Sequence, residues 1–127
     1  MQSKPQVLSW LICDAVHVDP STGKQTLLGV FSNIRARQFP FTHPMMVWYL
    51  VLNDVPSGKH RMRISMTDDA THPRPLIERE FESHGPLQRI NLINEIRNLT
   101  FHRPGDYGLL IEVDDELLLA TSLNITA

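Results

Sequence analysis

Apolar and polar residues alternate along a ten-residue segment of the chain, KHRMRISMTD at 59–68, and this alternation limits what the chain can fold into. One set of alternate positions holds His60, Met62, Ile64 and Met66. The other set holds Arg61, Arg63, Ser65 and Thr67. Because successive side chains of a β-strand point to opposite faces, the pattern predicts a strand with one buried face and one wet face.

Short apolar runs separated by turn residues recur along the whole chain, which is typical of an all-β protein. The predicted strands are 6–18, 25–35, 45–53, 59–68, 75–83, 87–99, 106–113 and 116–126. A chain of 127 residues can bury a core of its own. We therefore predict one domain over 1–127, an immunoglobulin-like antiparallel β-sandwich of about seven to eight strands.

The segment 86–99, PLQRINLINEIRNL, is ambiguous between helix and strand. Leu87, Ile90, Ile93 and Ile96 follow a spacing that a helix could use, whereas Ile90, Leu92 and Ile96 also suit a strand. The absence of alanine and of other helical segments favours a strand with a bulge.

Two turns carry specific expectations. The stretch DPSTGKQT at 19–26 resembles the end of a phosphate-binding loop, but Val18 stands where the first glycine should be and Gln25 follows Lys24. Gly23 is instead expected to complete a hairpin turn. After Pro104 and Gly105, Tyr107 is placed to hydrogen-bond back to the corner backbone, as in immunoglobulin-like sandwiches.

Five stretches together resemble an uncharacterised family of small bacterial β-sandwich proteins, a domain of unknown function. They are LICDAV, TGKQTLLGVFSNI, FPFTHP, SGKHRMRISMTDD and RPGDYGLLIEVDDELL, and they cover nearly the whole chain. The resemblance rests on turn and core residues, which include Gly23, Gly29, Phe31, Pro40, Gly58, Pro104, Gly105 and Tyr107. It implies a fold and supplies no catalytic residue.

Composition narrows the classes of partner. Twelve Lys and Arg are interleaved with fourteen Asp and Glu for a net charge of −2, so no basic stripe for nucleic acid is expected. The N-terminal apolar stretch is too short and too interrupted to span a bilayer. With Cys13 as the single cysteine, we predict a cytoplasmic protein that binds neither nucleic acid nor membrane.

No catalytic motif is recognisable. Cys13 precedes Asp14, but neighbouring strand residues point to opposite faces, so Cys13 is expected to be small apolar filling. No nucleophile-elbow, HExxH or paired-cysteine motif occurs. The chain is therefore predicted not to be an enzyme and to need no cofactor.

The histidines and arginines suggest a ligand site. If consecutive strands alternate in direction, the loops near 36–44, 69–75 and 100–105 lie at one end of the sandwich. That end would gather His43, His72, His102, Arg74 and Arg103, with Arg35 and Arg37 nearby. The imidazoles could bind zinc and the arginines an anion, although solvated loop residues are the simpler interpretation.

The opposite end would carry acidic residues by the same reasoning. These are Asp19, Asp54, Asp114, Asp115 and Glu116. Loop carboxylates of this kind can bind calcium, but Asp is also favoured in turns for backbone reasons. The set leaves both interpretations open.

The segment MMVWYLVL at 45–52 is apolar on both faces, which a strand of a two-sheet sandwich should not be. The set Met46, Trp48, Leu50 and Leu52 suits the core. The set Met45, Val47, Tyr49 and Val51 then needs cover from the segment 86–104, from a second copy or from another protein.

These observations favour a non-catalytic protein-interaction or assembly module. The interface would comprise Met45, Val47, Tyr49 and Val51, with Tyr49 as its anchor, and the partner would be another protein or a second copy. The alternative is a sandwich that binds a metal or an anion at its His/Arg-rich end.

Overall fold

The computed structural model describes residues 4–67 and 72–127, and these form strands and turns without a helix. The strands are β1 (Gln6–Val18), β2 (Gln25–Phe31), β3 (Asn33–Arg35), β4 (Phe41–Asn53), β5 (Gly58–Thr67), β6 (Arg74–Ser83), β7 (Ile90–Phe101), β8 (Gly105–Val113) and β9 (Glu116–Thr126). They make a four-stranded sheet in the order β2-β1-β4-β7 and a five-stranded sheet in the order β3-β9-β8-β5-β6.

The core lies between the two sheets and is filled from alternate positions of the central strands. In the four-stranded sheet, the predicted core residues of β4 are fully buried. In the five-stranded sheet, the apolar residues of β5 belong to the same core. The buried members are Met46, Trp48, Leu50, Leu52, Met62, Ile64 and Met66. The alternation along β5 therefore predicted its core-facing side correctly, and in β4 the set that suited the core is the one that faces it.

The predicted strand 25–35 is two strands, which raises the number of strands in the described part of the chain to nine. The chain bends at Ser32, leaves the four-stranded sheet and pairs residues 33–35 with β9 in the parallel direction. All the other strand pairs are antiparallel. The prediction missed this because a three-residue strand has no alternation of its own and depends on its partner.

The strand predicted to begin at 45 begins at Phe41. The prediction placed the stretch near 36–44 in a loop, and Pro44 in this stretch has no N–H to donate to a ladder. However, β1 pairs with β4 only as far as Val47, so residues 41–46 have a ladder partner on one side, where β7 runs. Pro44 is tolerated there because the strand is locally an edge.

The ambiguous segment 86–99 contains a strand, as predicted, but the strand is β7 at Ile90–Phe101. Its register to β4 runs without a shift from Ile90 to Phe101, so the expected bulge is absent from this pair. Asn98 adopts a φ of 55°, and the buried positions of β7 change parity around it. The pairing with β4 makes this segment a strand, whereas the spacing of its apolar residues suited both a helix and a strand.

Two local predictions are confirmed. The Tyr107 hydroxyl donates to the Arg103 carbonyl at 2.6 Å, and its ring lies edge-on to Phe101 at 5.0 Å. The Gly23 N–H donates to the Asp19 carbonyl at 2.8 Å with Gly23 at a φ of 74°. The first contact is the tyrosine corner of an immunoglobulin-like sandwich, and the second closes a hairpin turn rather than a phosphate loop.

Candidate functional site

The outward side of β4 is covered within its own sheet. Val47, Tyr49 and Val51 are buried, whereas Met45 is half-buried in the first part of the strand, where β1 no longer pairs with it. Their partners on β1 and β7 flank them: Val47 lies between Cys13 and Glu95, and Tyr49 between Leu11 and Ile93. The cover therefore comes from side chains of adjacent strands on the same face.

The exposed apolar surface of this face lies on β1 and β2 instead. Leu11 is 39% exposed, Leu28 52% and Val30 54%. Val30 pairs with Cys13 and Leu28 with Ala15, so these side chains share the face of Tyr49. We call this surface the outer-face patch, which consists of Leu11, Cys13, Ala15, Leu28, Val30, Val47, Tyr49, Val51 and Ile93.

Tyr49 lies in the floor of the outer-face patch with 8% of its surface exposed. Its hydroxyl donates to the Gln25 side-chain carbonyl and accepts from the Asn91 side-chain amide at 3.1 Å. Burial raises the pKa of the Tyr49 phenol. Tyr49 thus ties three strands together, and Leu28 and Val30 are the most exposed side chains of the outer-face patch.

Sequence reasoning missed Leu11, Leu28 and Val30. The run QTLLGVF of β2 is apolar at both parities, which is the signal that singled out 45–52. It did not reveal the patch, because the residues that share a face across strands depend on the register between strands far apart in sequence.

The His/Arg-rich residues do gather at one end of the sandwich. The pairing of β4 with β7 places His43 and His102 at that end, and the antiparallel β5 and β6 bring Arg74 there as well. His72 is exposed just before β6, and the Arg103 carbonyl is bound to Tyr107. The end is shared, but the side chains separate into different environments.

His43 faces inward rather than into a ligand site. The centroid of its ring lies 5.9 Å from the centroid of the Phe31 ring and 6.1 Å from that of the Phe41 ring. By contrast, Arg74 and His102 line one cleft of about 440 Å³, which Arg97 also lines. Arg35 and Arg37 line a separate cavity of about 350 Å³. The structure thus brings together two of the five predicted ligand residues.

A zinc or calcium site is not assembled in 4–67 and 72–127. Across these residues, no three His, Cys, Asp or Glu side chains converge on a point where a metal could bind. His43, His72 and His102 therefore do not form the three-histidine arrangement that the sequence suggested.

The predicted acidic end is divided. Asp19 lies at the His/Arg-rich end, because the bend at Ser32 adds a reversal of direction that the prediction lacked. At the other end, Asp114 pairs with His60 at 2.6 Å and Asp115 with Arg63 at 3.3 Å. These carboxylates already have cationic partners, which a calcium site would have to displace.

His60 and Asp114 resemble a base with its orienting carboxylate, but both ring nitrogens are occupied. His60 Nδ1 lies 2.6 Å from Asp114 Oδ2, and Nε2 lies 2.7 Å from the Pro56 carbonyl oxygen. The ring stacks on Phe81 at 5.6 Å. The pair ties β5 to the loop that precedes it and to the turn between β8 and β9, and it has no nitrogen left for proton transfer to a substrate.

Cys13 is fully buried in the outer-face patch and is a free thiol. Burial raises its pKa, the thiol contacts the Ala15 carbonyl oxygen, and nearby Asp14 also disfavours the thiolate. This agrees with the predicted role as apolar filling. Within the described ranges, no helix is long and apolar enough to cross a bilayer.

Solved structures share this architecture at low sequence identity. The alkylpurine DNA glycosylase AlkC of Pseudomonas fluorescens, solved with DNA containing an abasic site analogue, matches 98% of this chain with a TM-score of 0.56 and 11% identity. A β-glucosidase from Listeria innocua in complex with glucose matches 98% with a TM-score of 0.56 and 8% identity. An immunoglobulin-like protein from Pseudomonas aeruginosa matches 98% of both chains at 11% identity, with a TM-score of 0.45.

The present chain spans 31% of the glycosylase chain and 16% of the glucosidase chain. At such identities the likeness shows the fold alone. A search of curated proteins returns no match. A family model does match, over residues 8–126, and the chain therefore belongs to the family of unknown function DUF6941.

Proposed function

We propose that this chain is a non-catalytic protein-interaction module and that the outer-face patch is its docking surface. The observation that carries the proposal is the exposure of Leu28 and Val30, each more than half exposed, beside a floor of buried apolar side chains. Contiguous apolar surface of this kind costs free energy in water, and burial against another protein recovers it.

The partner that fits best is the same face of a second copy. The members of the outer-face patch are all uncharged, so a two-fold axis through the patch brings no like charges together. At its rim, Glu95 is neutralised by Arg97 at 3.1 Å. Two such faces can stack as the sheets of a sandwich do, with apolar side chains between them.

The non-catalytic part of the proposal is supported by His60. Both of its ring nitrogens are hydrogen-bonded within the fold, so the pair of His60 with Asp114 has no nitrogen free to act as a catalytic base. A bacterial cytoplasm is the proposed location. Its support is the sequence resemblance to bacterial proteins and the free thiol of Cys13, which suits a reducing compartment.

Sedimentation velocity of the wild type and of Val30→Lys tests this proposal. The wild type should shift from monomer to dimer as its concentration rises. Val30→Lys should weaken self-association at least about tenfold, because an unpaired ammonium would be buried in the interface. Lysine on an edge strand is compatible with folding, so the thermal midpoint should stay close to that of the wild type.

Leu117→Lys is the matched control. Leu117 is 54% exposed, as Val30 is, but lies on β9 of the other sheet. This variant should self-associate like the wild type. A wild type that remains monomeric at every concentration, or equal loss in both variants, would overturn the proposal.

A further inference from the structure

A cleft opens where the two sheets leave a gap along one side of the sandwich. β6 is an edge strand of the five-stranded sheet and β7 an edge strand of the four-stranded sheet. Arg79 of β6 bridges them, with Nη1 donating to the Ile93 carbonyl at 3.1 Å. Beyond this bridge, Arg74 and Leu76 face residues 95–100 across a cleft of about 440 Å³. That size is within the range of small-molecule sites.

The lining of the cleft carries more positive than negative charge. Arg74 and Arg97 line it with Glu95 as the carboxylate, and the His102 ring adds nitrogens that can form hydrogen bonds. Arg97 is paired with Glu95 at 3.1 Å. Arg74 is exposed and makes no ion pair with any residue in 4–67 or 72–127, so its guanidinium is available to an anion.

The floor of the cleft is apolar. Ile96 and Leu99 belong to the buried core, and Leu76 packs against that core from the opposite sheet. The change of side-chain parity around Asn98, whose φ is 55°, lets both Ile96 and Leu99 face inward on β7. An apolar floor beneath a rim of hydrogen-bond donors is the usual composition of a small-molecule site.

We propose that this cleft binds a small organic anion, whose oxyanion group contacts Arg74 and His102 and whose apolar body lies against Leu76, Ile96 and Leu99. A guanidinium binds an oxyanion through two parallel hydrogen bonds, which gives both charge and direction to the contact. The site is on the opposite edge of the four-stranded sheet from β2. The proposal therefore stands or falls separately from self-association through the outer-face patch.

Phenyl phosphate is the probe, and amide chemical shifts of the full chain are the measurement. We expect saturable shifts that include Ile96, Leu99 and residues near Arg74, with a dissociation constant in the millimolar range. Inorganic phosphate and phenol serve as the two halves of the probe, and each should bind at least about fivefold more weakly than phenyl phosphate.

Arg74→Gln should weaken phenyl phosphate binding at least about fivefold, because the unpaired guanidinium is removed. Arg37→Gln is the control: it removes the same charge from an exposed residue at a different cavity, and binding should be unchanged. Both residues are exposed, so both variants should fold.

Several results would overturn the proposal. If phenyl phosphate causes no saturable chemical-shift changes, the cleft is not a binding site for it. Equal weakening by Arg74→Gln and Arg37→Gln would mean general charge attraction. Phenol binding as tightly as phenyl phosphate would exclude recognition of the anion, and phosphate binding as tightly would exclude the apolar part of the site.

Discussion

His60 illustrates how a residue that resembles a catalytic base serves the fold. Its two ring nitrogens face the Asp114 carboxylate and the Pro56 carbonyl, both of which accept hydrogen bonds, so the doubly protonated ring satisfies both partners. Burial lowers the pKa of His60, but the hydrogen bonds to Asp114 and Pro56 outweigh it, and the net pKa is raised. For Asp114, burial raises the pKa, but the hydrogen bonds from His60 and from the Arg61 N–H lower it by more. The net pKa of Asp114 is therefore lowered.

These shifts predict a pH dependence of stability. Because the folded-state pKa of His60 is above its ordinary value of 6.5, the contribution of His60 is full below pH 6.5 and disappears as pH rises through the folded-state pKa. The contribution of Asp114 is present above pH 3.8 and disappears as pH falls through its own lowered pKa. The pair therefore contributes most in the window between these two values.

Urea denaturation of Asp114→Asn from pH 5 to pH 9 measures this effect. Asparagine tolerates the left-handed backbone at this position, where φ is 51°, so the change removes charge and keeps the turn. At pH 5 we expect the variant to be less stable than the wild type by about 1 kcal/mol, because it loses the pair with His60. The loss is small because Asp114 is half exposed and solvent screens the pair. The difference should shrink at pH 9, as His60 loses its proton.

Asp115→Asn is the control for this prediction. Asp115 also has a positive φ, of 66°, but it pairs with Arg63, which stays charged throughout this range. Its effect on stability should not vary with pH between 5 and 9. A constant difference for Asp114→Asn as well would contradict the role given to His60.

At the scale of the element, Gly29 permits the pairing of β1 with β2. It lies within β2 opposite Asp14 and has a φ of 67°. A Cβ at this position would overlap the Asp14 carboxylate and lie 3.2 Å from the Asp14 Cβ. Rotation of the Asp14 side chain would therefore relieve the overlap in part.

Gly29→Ala should consequently be more destabilising than a glycine substitution at an open turn. Gly23→Ala, with a φ of 74° and open space around the new Cβ, should cost about 1 kcal/mol for the backbone alone. Gly29→Ala should cost about 1 kcal/mol more. Urea denaturation of both variants, with and without Asp14→Ala, measures the difference.

In the Asp14→Ala background, the two glycine substitutions should become similar in cost, because most of the overlap is removed. If Gly29→Ala and Gly23→Ala destabilise the wild-type background equally, backbone conformation alone explains the requirement for glycine at position 29, without the contact with Asp14.

At the scale of the whole molecule, Cys13 reports on opening of the four-stranded sheet. Its side chain is fully buried, and β1 lies between β2 and β4. Burial also raises the thiol pKa, which lowers the fraction of reactive thiolate. A thiol reagent can reach Cys13 once strands separate.

We therefore expect labelling of Cys13 by a disulfide reagent to be at least about 10³-fold slower in the native protein than in the urea-unfolded chain. Its dependence on urea should match that of global unfolding followed by tryptophan fluorescence. Fast labelling with a weak urea dependence would instead mean that edge strand β2 opens by itself.

The features that the sequence determined by itself are local ones. Alternation around Met62 and Ile64 predicted a strand and its buried face, and Gly23 and Tyr107 predicted their turns, because each depends on neighbours within a few residues. The class of fold followed from the repetition of these signals along the chain.

The tertiary structure decided what depends on pairing between distant segments. The third strand exists because residues 33–35 meet β9, and the outer-face patch exists because Val30 pairs with Cys13 and Leu11 with Tyr49. The cleft likewise joins Arg74 of one sheet to His102 beside the other. A shift of register by one residue would turn these side chains to the opposite face, and register is fixed by contacts across the whole sandwich.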